Sequence, residues 1–212
     1  MDKPKNELVH LFPTVLWKSE LPDELARSIN NAVIPMIERK LQDVEQDLQG
    51  TFLQTEQNLH LAPEFTELGK YVYMIAKSAL DYMHIDYQDI QITGCWANIS
   101  GAGHSHRQHS HPNNFLSGVY YAEVPPGGNS IIFHDPRPQI QVMKPPVKKM
   151  IYENTDHVVA QVETGTMLLF PSWLRHSVPS NQGKDRRISI SFNIMFLQFA
   201  ETMSKPLWEG KL

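Results

Sequence analysis

Four histidines lie within eight residues of the sequence, at His104, His106, His109 and His111, and a fifth, His176, follows an apolar run far downstream. Imidazole is the commonest protein metal ligand at neutral pH, so packing alone explains this density poorly. Residues i and i+2 of an extended strand point to the same face, and His109 and His111 are therefore expected to share one space. The sequence predicts a metal site built on strands, with His176 as the distal ligand.

A second feature is a strand in which apolar and polar residues alternate strictly. Starting at Arg187, apolar side chains at positions 188, 190, 192, 194 and 196 alternate with polar side chains at 189, 191 and 193. The polar face points either to water or into the lumen of a barrel. In a lumen, the guanidinium of Arg187 and the hydroxyl of Ser189 could hold a carboxylate through charge-assisted hydrogen bonds. The alternative is that Arg187 faces solvent.

Periodicity and prolines predict helices first and strands afterwards. We expect a first strand from Val9 to Trp17, a helix from Pro22 that is kinked or divided at Pro35, and a second helix from about Pro63. Further strands are predicted at about 90–99, 106–111, 116–123, 130–134, 139–143, 156–163, 166–170, 174–178 and 186–198. The pattern indicates an α+β chain, with a helical support at about 20–85 followed by a jelly roll at about 88–200, in one domain spanning 1–212.

Composition restricts the classes of partner and location. The 212 residues carry a net charge of −4 and only short basic clusters, which disfavours a nucleic-acid partner. The sequence lacks a signal peptide or a run of apolar residues long enough for a bilayer, so we expect a cytoplasmic protein without a membrane partner. The lone cysteine, Cys95, is expected to be a small buried thiol without a catalytic role. A homodimer is compatible with the sequence.

Several blocks of the chain together resemble a known family. They are His109–Pro112, Leu116–Tyr121, Phe133–Arg137, Phe170–Val178 and Arg187–Asn193, with Leu11–Thr14 and Trp17 near the start. As a set they resemble the 2-oxoglutarate/iron(II)-dependent oxygenase family found in marine bacteria and their phages. The resemblance implies a double-stranded β-helix, Fe(II) and 2-oxoglutarate as cofactors, and hydroxylation of an unidentified substrate with release of succinate and CO2. That substrate could be a small molecule or a protein side chain.

The resemblance also implies roles for individual residues. It places His109 and His176 among the metal ligands, and Arg187 with Ser189 at the distal carboxylate of 2-oxoglutarate. The second position of the first motif, usually acidic in the wider superfamily, is His111 here. The third ligand is therefore open among His111, His106 and Asp135, with His111 preferred.

Two further questions stay open at this stage. Tyr120 and Tyr121 point to opposite faces of one strand, so that one of them, taken to be Tyr121, could donate its hydroxyl to a bound carboxylate. Three imidazoles also suit zinc, copper or nickel. A cupin-like metal-binding protein without 2-oxoglutarate turnover, or a jelly roll with an interaction role only, therefore remains an alternative.

Overall fold

The computed structural model describes residues 5–41 and 52–202. Residues 42–51 of the predicted helical support, and both ends of the predicted domain, lie outside these ranges. The strands are β1 (Trp17–Glu20), β2 (Phe52–Gln54), β3 (Ile90–Ser100), β4 (His106–His109), β5 (Leu116–Glu123), β6 (Ser130–His134), β7 (His157–Gln161), β8 (Thr166–Pro171), β9 (His176–Val178) and β10 (Arg187–Phe196). The α-helices are α1 (Asp23–Lys40), α2 (Thr66–Tyr82) and α3 (Leu197–Thr202). No helix in the described ranges has the length and apolar character needed to span a membrane.

The strands form two antiparallel sheets that face each other. The larger sheet has the order β1-β8-β5-β10-β3-β2, and the smaller sheet has the order β4-β9-β6-β7. Neighbouring strands in each order are far apart in sequence, as expected for a jelly roll. The chain therefore crosses repeatedly between the sheets, which brings side chains from β3, β4, β9 and β10 to one cavity.

Two apolar clusters hold the layers together. One lies between helices α1 and α2 and the outer face of the larger sheet, and includes Ile188, Ile190 and Phe192 of β10. The other lies between the sheets and includes Tyr121, Phe133 and Phe170. The alternation predicted for 187–196 is thus confirmed, because its apolar side faces the helices and its polar side faces the second sheet.

A glycine in β5 allows the larger sheet to pack closely. A Cβ at Gly118 would collide with the ring of Phe192 and lie 2.8 Å from the carbonyl oxygen of Leu168. Gly94 of β3 is different, since its nearest neighbour would be Gln57 at 3.5 Å, an ordinary contact. Of these two positions, only Gly118 requires the absence of a side chain.

Several predicted elements are wrong. The first strand begins at Trp17, because Phe12 adopts a positive φ of 53° that interrupts an extended chain before it. The predicted strand at 139–143 is replaced by a short 3₁₀ helix, Pro138–Gln141, in which proline occupies the first turn. Helix α1 is not divided at Pro35, and the alternative of a kink there stays a prediction. Pro35 is exposed together with Asn31, so water can bond the carbonyl that loses its donor. Strand β2 was not predicted.

Candidate metal centre and cosubstrate cavity

Two histidines lie side by side on neighbouring strands of the smaller sheet. His109 of β4 and His176 of β9 are directly paired in the antiparallel register, and their ring centroids are 4.3 Å apart. His176 also pairs with Phe133 of β6 and is only 5% exposed. Both rings therefore sit on the inner face of this sheet, directed at the larger one.

The third imidazole comes from the turn that follows β4. The backbone N–H of His111 donates to the carbonyl of Ser172 at 2.9 Å, which fixes this turn against the end of β8. The His111 ring centroid lies 5.1 Å from that of His109 and 5.2 Å from that of His176. One nitrogen from each ring lies within 4.8 Å of the others, and within the described residues this is the one group of three such side chains with the spacing of a metal site.

In the rings of His109 and His176, a hydrogen bond occupies Nδ1 and leaves Nε2 free. Nδ1 of His109 lies 2.8 Å from the carbonyl oxygen of Arg107, and Nδ1 of His176 lies 3.0 Å from that of Leu174. A carbonyl oxygen only accepts, so each Nδ1 must carry the proton, and the lone pair of a neutral ring is then on Nε2. Backbone bonds of this kind orient metal-binding histidines in many proteins.

Burial keeps two of the three imidazoles, those of His111 and His176, uncharged at neutral pH. It lowers the pKa of His176 to about 3, with the neighbouring His109 and His111 adding to the effect, although the bond to Leu174 acts in the opposite direction. It lowers the pKa of His111 to about 4, again with a contribution from neighbouring rings. Metal ligation requires neutral imidazole, so His111 and His176 are in the right state at neutral pH.

The other two candidates for the third ligand lie outside this group. His106 stacks on His109 with a centroid distance of 4.4 Å, because an extra residue in β4 relative to β9 brings both onto one face. The carboxylate of Asp135 instead accepts bonds from Arg137 at 2.6 and 3.0 Å. Asp135 is thus engaged in an ion pair with Arg137, and the group contains no carboxylate.

Arg187 lies buried in the same cavity and has no acidic partner among the described residues. It is 6% exposed, its Nη1 has a long contact of 3.4 Å with the carbonyl oxygen of Gly128, and its Nε has no hydrogen-bond partner within the described chain. Arg186 points the other way and pairs with Glu38 at 2.7 Å and Glu123 at 3.3 Å. The solvent-facing alternative for Arg187 is therefore wrong.

Ser189 and Tyr121 line the cavity beside Arg187. The Arg187 guanidinium carbon is 6.0 Å from the centre of the Tyr121 ring, and burial raises the pKa of that phenol to about 12, so it stays protonated. Tyr120 faces helix α1 instead and donates to Oδ1 of Asn30 at 2.9 Å. Of the two tyrosines, Tyr121 is the one directed at the cavity.

The cavity contains residues that sequence reasoning did not select. Trp96 and Asn98 of β3 line it, and Oδ1 of Asn98 is a buried acceptor without a partner in the described ranges. Their alternation with Ser100 in β3 was the available signal. At the rim, His104 stacks on Phe52 at 4.6 Å, which gives the loop histidine a packing role. The cavity lining contains no acidic side chain among the described residues.

The comparisons with known proteins agree with this arrangement. Residues 94–193, just under half of the chain, match the model of the family described as "Putative 2OG-Fe(II) oxygenase". No curated protein matches the sequence. The resemblance inferred from the sequence motifs is thus confirmed as a match to a 2-oxoglutarate/iron(II) oxygenase family model over this segment.

Solved structures share the fold at low sequence identity. AviO1 from Streptomyces viridochromogenes Tue57 has a TM-score of 0.60 and 13% identity, with 91% of this chain and 92% of that chain covered. The epimerase SnoN from nogalamycin biosynthesis, in complex with Fe3+, alpha ketoglutarate and nogalamycin RO, has a TM-score of 0.60 and 13% identity, with coverages of 93% and 88%. A Pseudomonas putida prolyl-4-hydroxylase has a TM-score of 0.58 and 11% identity, with coverages of 86% and 93%. The predicted fold class, a double-stranded β-helix with preceding helices, is confirmed.

Proposed function

We propose that this chain is an iron(II)- and 2-oxoglutarate-dependent oxygenase that hydroxylates a still unidentified substrate. The observation that carries the proposal is the presence, in one cavity, of three convergent imidazoles and a buried arginine that has no counter-ion in the described part of the chain. The imidazoles are suited to a metal ion, and the guanidinium is suited to a carboxylate. A divalent metal and a dicarboxylate would supply both partners together.

In this proposal His109, His111 and His176 hold the metal. The two backbone bonds that leave Nε2 of His109 and His176 free, and the lowered pKa of His111 and His176, suit a first-row divalent ion. Because the described lining contains no carboxylate, the ion would keep its full positive charge until an anion enters. The site therefore favours a ligand with at least two negative charges.

Arg187, Ser189 and Tyr121 would hold the distal carboxylate of 2-oxoglutarate. A guanidinium fork matches a carboxylate in geometry, and the two hydroxyls add donors in the same buried space. The raised pKa of Tyr121 keeps its hydroxyl protonated, so this hydroxyl can donate a hydrogen bond to the carboxylate. The free Nε of Arg187 would then gain the partner that it lacks.

With its cosubstrate and O2, iron(II) supplies oxidation of a C–H bond with release of succinate and CO2. The protein would position the reactants and shield them from water, because aromatic rings such as Trp96 and Phe170 line the cavity. The match to the oxygenase family model supports this assignment, and so does a neighbour with the same fold that holds Fe3+ and alpha ketoglutarate.

One observation favours a second candidate function. The usual acidic ligand is replaced by His111, and a three-histidine group also suits zinc, copper or nickel. A cupin-like metal-binding protein without 2-oxoglutarate turnover would have such a site. It would leave the buried charge of Arg187 unexplained, and for this reason the oxygenase is preferred.

The decisive experiment is a calorimetric titration of 2-oxoglutarate into Fe(II)-loaded protein under anaerobic conditions, followed by exposure to O2 and measurement of succinate. Saturable binding and succinate formation are expected. Metal binding without any affinity for 2-oxoglutarate would refute the oxygenase and favour the cupin-like alternative. Protein that retains no metal would refute both.

A further inference from the structure

The connection between β6 and β7 is long and irregular. It spans residues 135–156, and its only regular element is the short helix Pro138–Gln141. Connections longer than about 12 to 15 residues without secondary structure of their own are uncommon in compact domains and usually have a function. We call residues 135–156 the β6–β7 segment.

The base of the β6–β7 segment is fixed next to the metal centre. The N–H of His134 donates to the carbonyl of Arg175 at 2.9 Å, and the N–H of Asp135 donates to the carbonyl of Asp156 at 2.9 Å. Phe133, one residue before this base, is the register partner of His176. Lys144 pairs with Asp156 and so ties the segment back to its own base. The segment therefore starts beside β9, the strand that carries the distal histidine, and ends one strand further along the sheet, at β7.

The middle of the β6–β7 segment exposes six large apolar side chains that lie close together in the sequence. Their exposed fractions range from 44% at Val147 to 86% at Val142. The set comprises Val142, Met143, Val147, Met150, Ile151 and Tyr152. Scattered exposed apolar residues are ordinary, but a group within eleven consecutive residues is typical of an interaction surface.

Two unpaired lysines lie within this apolar set. Lys148 and Lys149 are exposed, and no acidic side chain of the described residues lies within 4.0 Å of either amine. The acidic residues at the base are already engaged, Asp135 by Arg137 and Asp156 by Lys144. The surface is thus basic on a chain whose net charge is −4, which favours an acidic partner.

The neighbouring strand offers a way to bind backbone. β7 is the last strand of the smaller sheet and pairs only with β6, so its outer edge has no strand partner in the described part of the chain. A polypeptide can add to such an edge through main-chain hydrogen bonds. A lipid surface cannot do so, and two free lysines fall short of the roughly four to eight that juxtamembrane clusters use.

We propose that the exposed apolar and basic surface of residues 142–152 docks an acidic polypeptide whose reactive side chain enters the metal cavity. This inference rests on the proposed function and names its substrate class as a protein or peptide. The path from the surface to the cavity is short, because the β6–β7 segment begins two residues after Phe133, the register partner of His176.

The test is an array of synthetic peptides in which Leu and Phe are combined with Asp and Glu, with Ser and Gln, or with Lys and Arg. Wild-type protein is expected to bind acidic members at least about tenfold more tightly than their basic counterparts. The double variant K148E/K149E should lose this preference, and M150S/I151S should lose binding to all members. The control K40E/K70E changes two exposed lysines on helices α1 and α2 and should bind as wild type does.

The same preparations separate this inference from the oxygenase proposal. Anaerobic titrations with Fe(II) and 2-oxoglutarate should give wild-type affinities for both double variants of the segment. Acidic peptides that bind to a protein with no affinity for 2-oxoglutarate would support the docking surface and refute the oxygenase. Three outcomes overturn the docking proposal: equal binding of all charge classes, binding that is insensitive to K148E/K149E, or a wild-type dimer that M150S/I151S converts to a monomer. Binding to phosphatidylserine vesicles without any peptide binding would overturn it as well.

Discussion

Replacement of Arg187 by methionine should separate ligand binding from stability. Methionine reproduces the apolar stem of arginine as far as the position of Nε, but it lacks the charge and the donors of the guanidinium. Removal of one partner of a buried charge pair costs about 2 to 5 kcal/mol, which corresponds to a loss of about 30-fold to several-thousand-fold in affinity for 2-oxoglutarate. Metal binding should stay unchanged, because the imidazole group does not include Arg187.

The unliganded Arg187→Met variant, in contrast, should lose no stability. In the absence of a carboxylate, the Nε of Arg187 is a buried donor without a partner in the described structure, and such a group costs about 1 to 3 kcal/mol. Arg187→Met removes this cost, so the melting temperature without cosubstrate should be no lower than that of the wild type. The stabilisation by added 2-oxoglutarate should be lost, because it depends on binding.

The adjacent arginine provides the control. Arg186→Met breaks the ion pairs with Glu38 and Glu123 on the opposite face of β10 and should leave the affinity for 2-oxoglutarate unchanged. Calorimetry under anaerobic conditions and thermal denaturation with and without 2-oxoglutarate measure both effects. Equal affinity in Arg187→Met and wild type, or an equal loss in Arg186→Met, would refute the assignment of Arg187.

Three further predictions concern the metal group and the core. His176→Ala should remove most bound metal but preserve the circular dichroism spectrum, because two imidazoles close the site poorly; metal analysis showing unchanged content would contradict its role. His111→Asp should retain iron and increase 2-oxoglutarate decarboxylation, because it restores a negative ligand. If His111→Ala binds iron with wild-type affinity, the third ligand is a different residue. Gly118→Ala should destabilise the fold by about 1 to 3 kcal/mol through collision with Phe192, and Gly94→Ala, which meets only ordinary contacts, should melt near the wild-type temperature.

The strands could be predicted wherever one face of the sheet is covered by apolar side chains. The bounds predicted for β5 and β6 agree with the structure, and β10 is displaced by only a residue or two at its ends. Alternation is a strong signal there, because a shift of one residue would move the whole apolar set out of the core. The failures at 9–17 and 139–143 lie on exposed chain, where local conformation at Phe12 and Pro138 outweighs a weak pattern.

The choice between neighbouring residues needed the three-dimensional structure. Tyr120 and Tyr121 are equivalent in sequence terms, and only the contact of Tyr120 with Asn30 of helix α1 shows which side of β5 faces the helices. The same holds for Arg186 and Arg187, whose directions follow from the register of β10 with β3 and β5. Alternation predicts that two faces exist, but it does not identify the layer that covers each one.

The third imidazole lies close to the other two, as the sequence predicts, but for a different physical reason. The spacing argument treated His109 and His111 as neighbours on one face of a single strand, yet β4 ends at His109. His111 reaches the group because its N–H bonds to the carbonyl of Ser172, which belongs to the turn between β8 and β9. The two turns that flank the metal site therefore hold each other in place, and the geometry of the third ligand depends on a contact between segments that are far apart in sequence. A spacing rule can point to such a residue, but the position of its ring relative to the other two is fixed by the packing of the smaller sheet against the larger one.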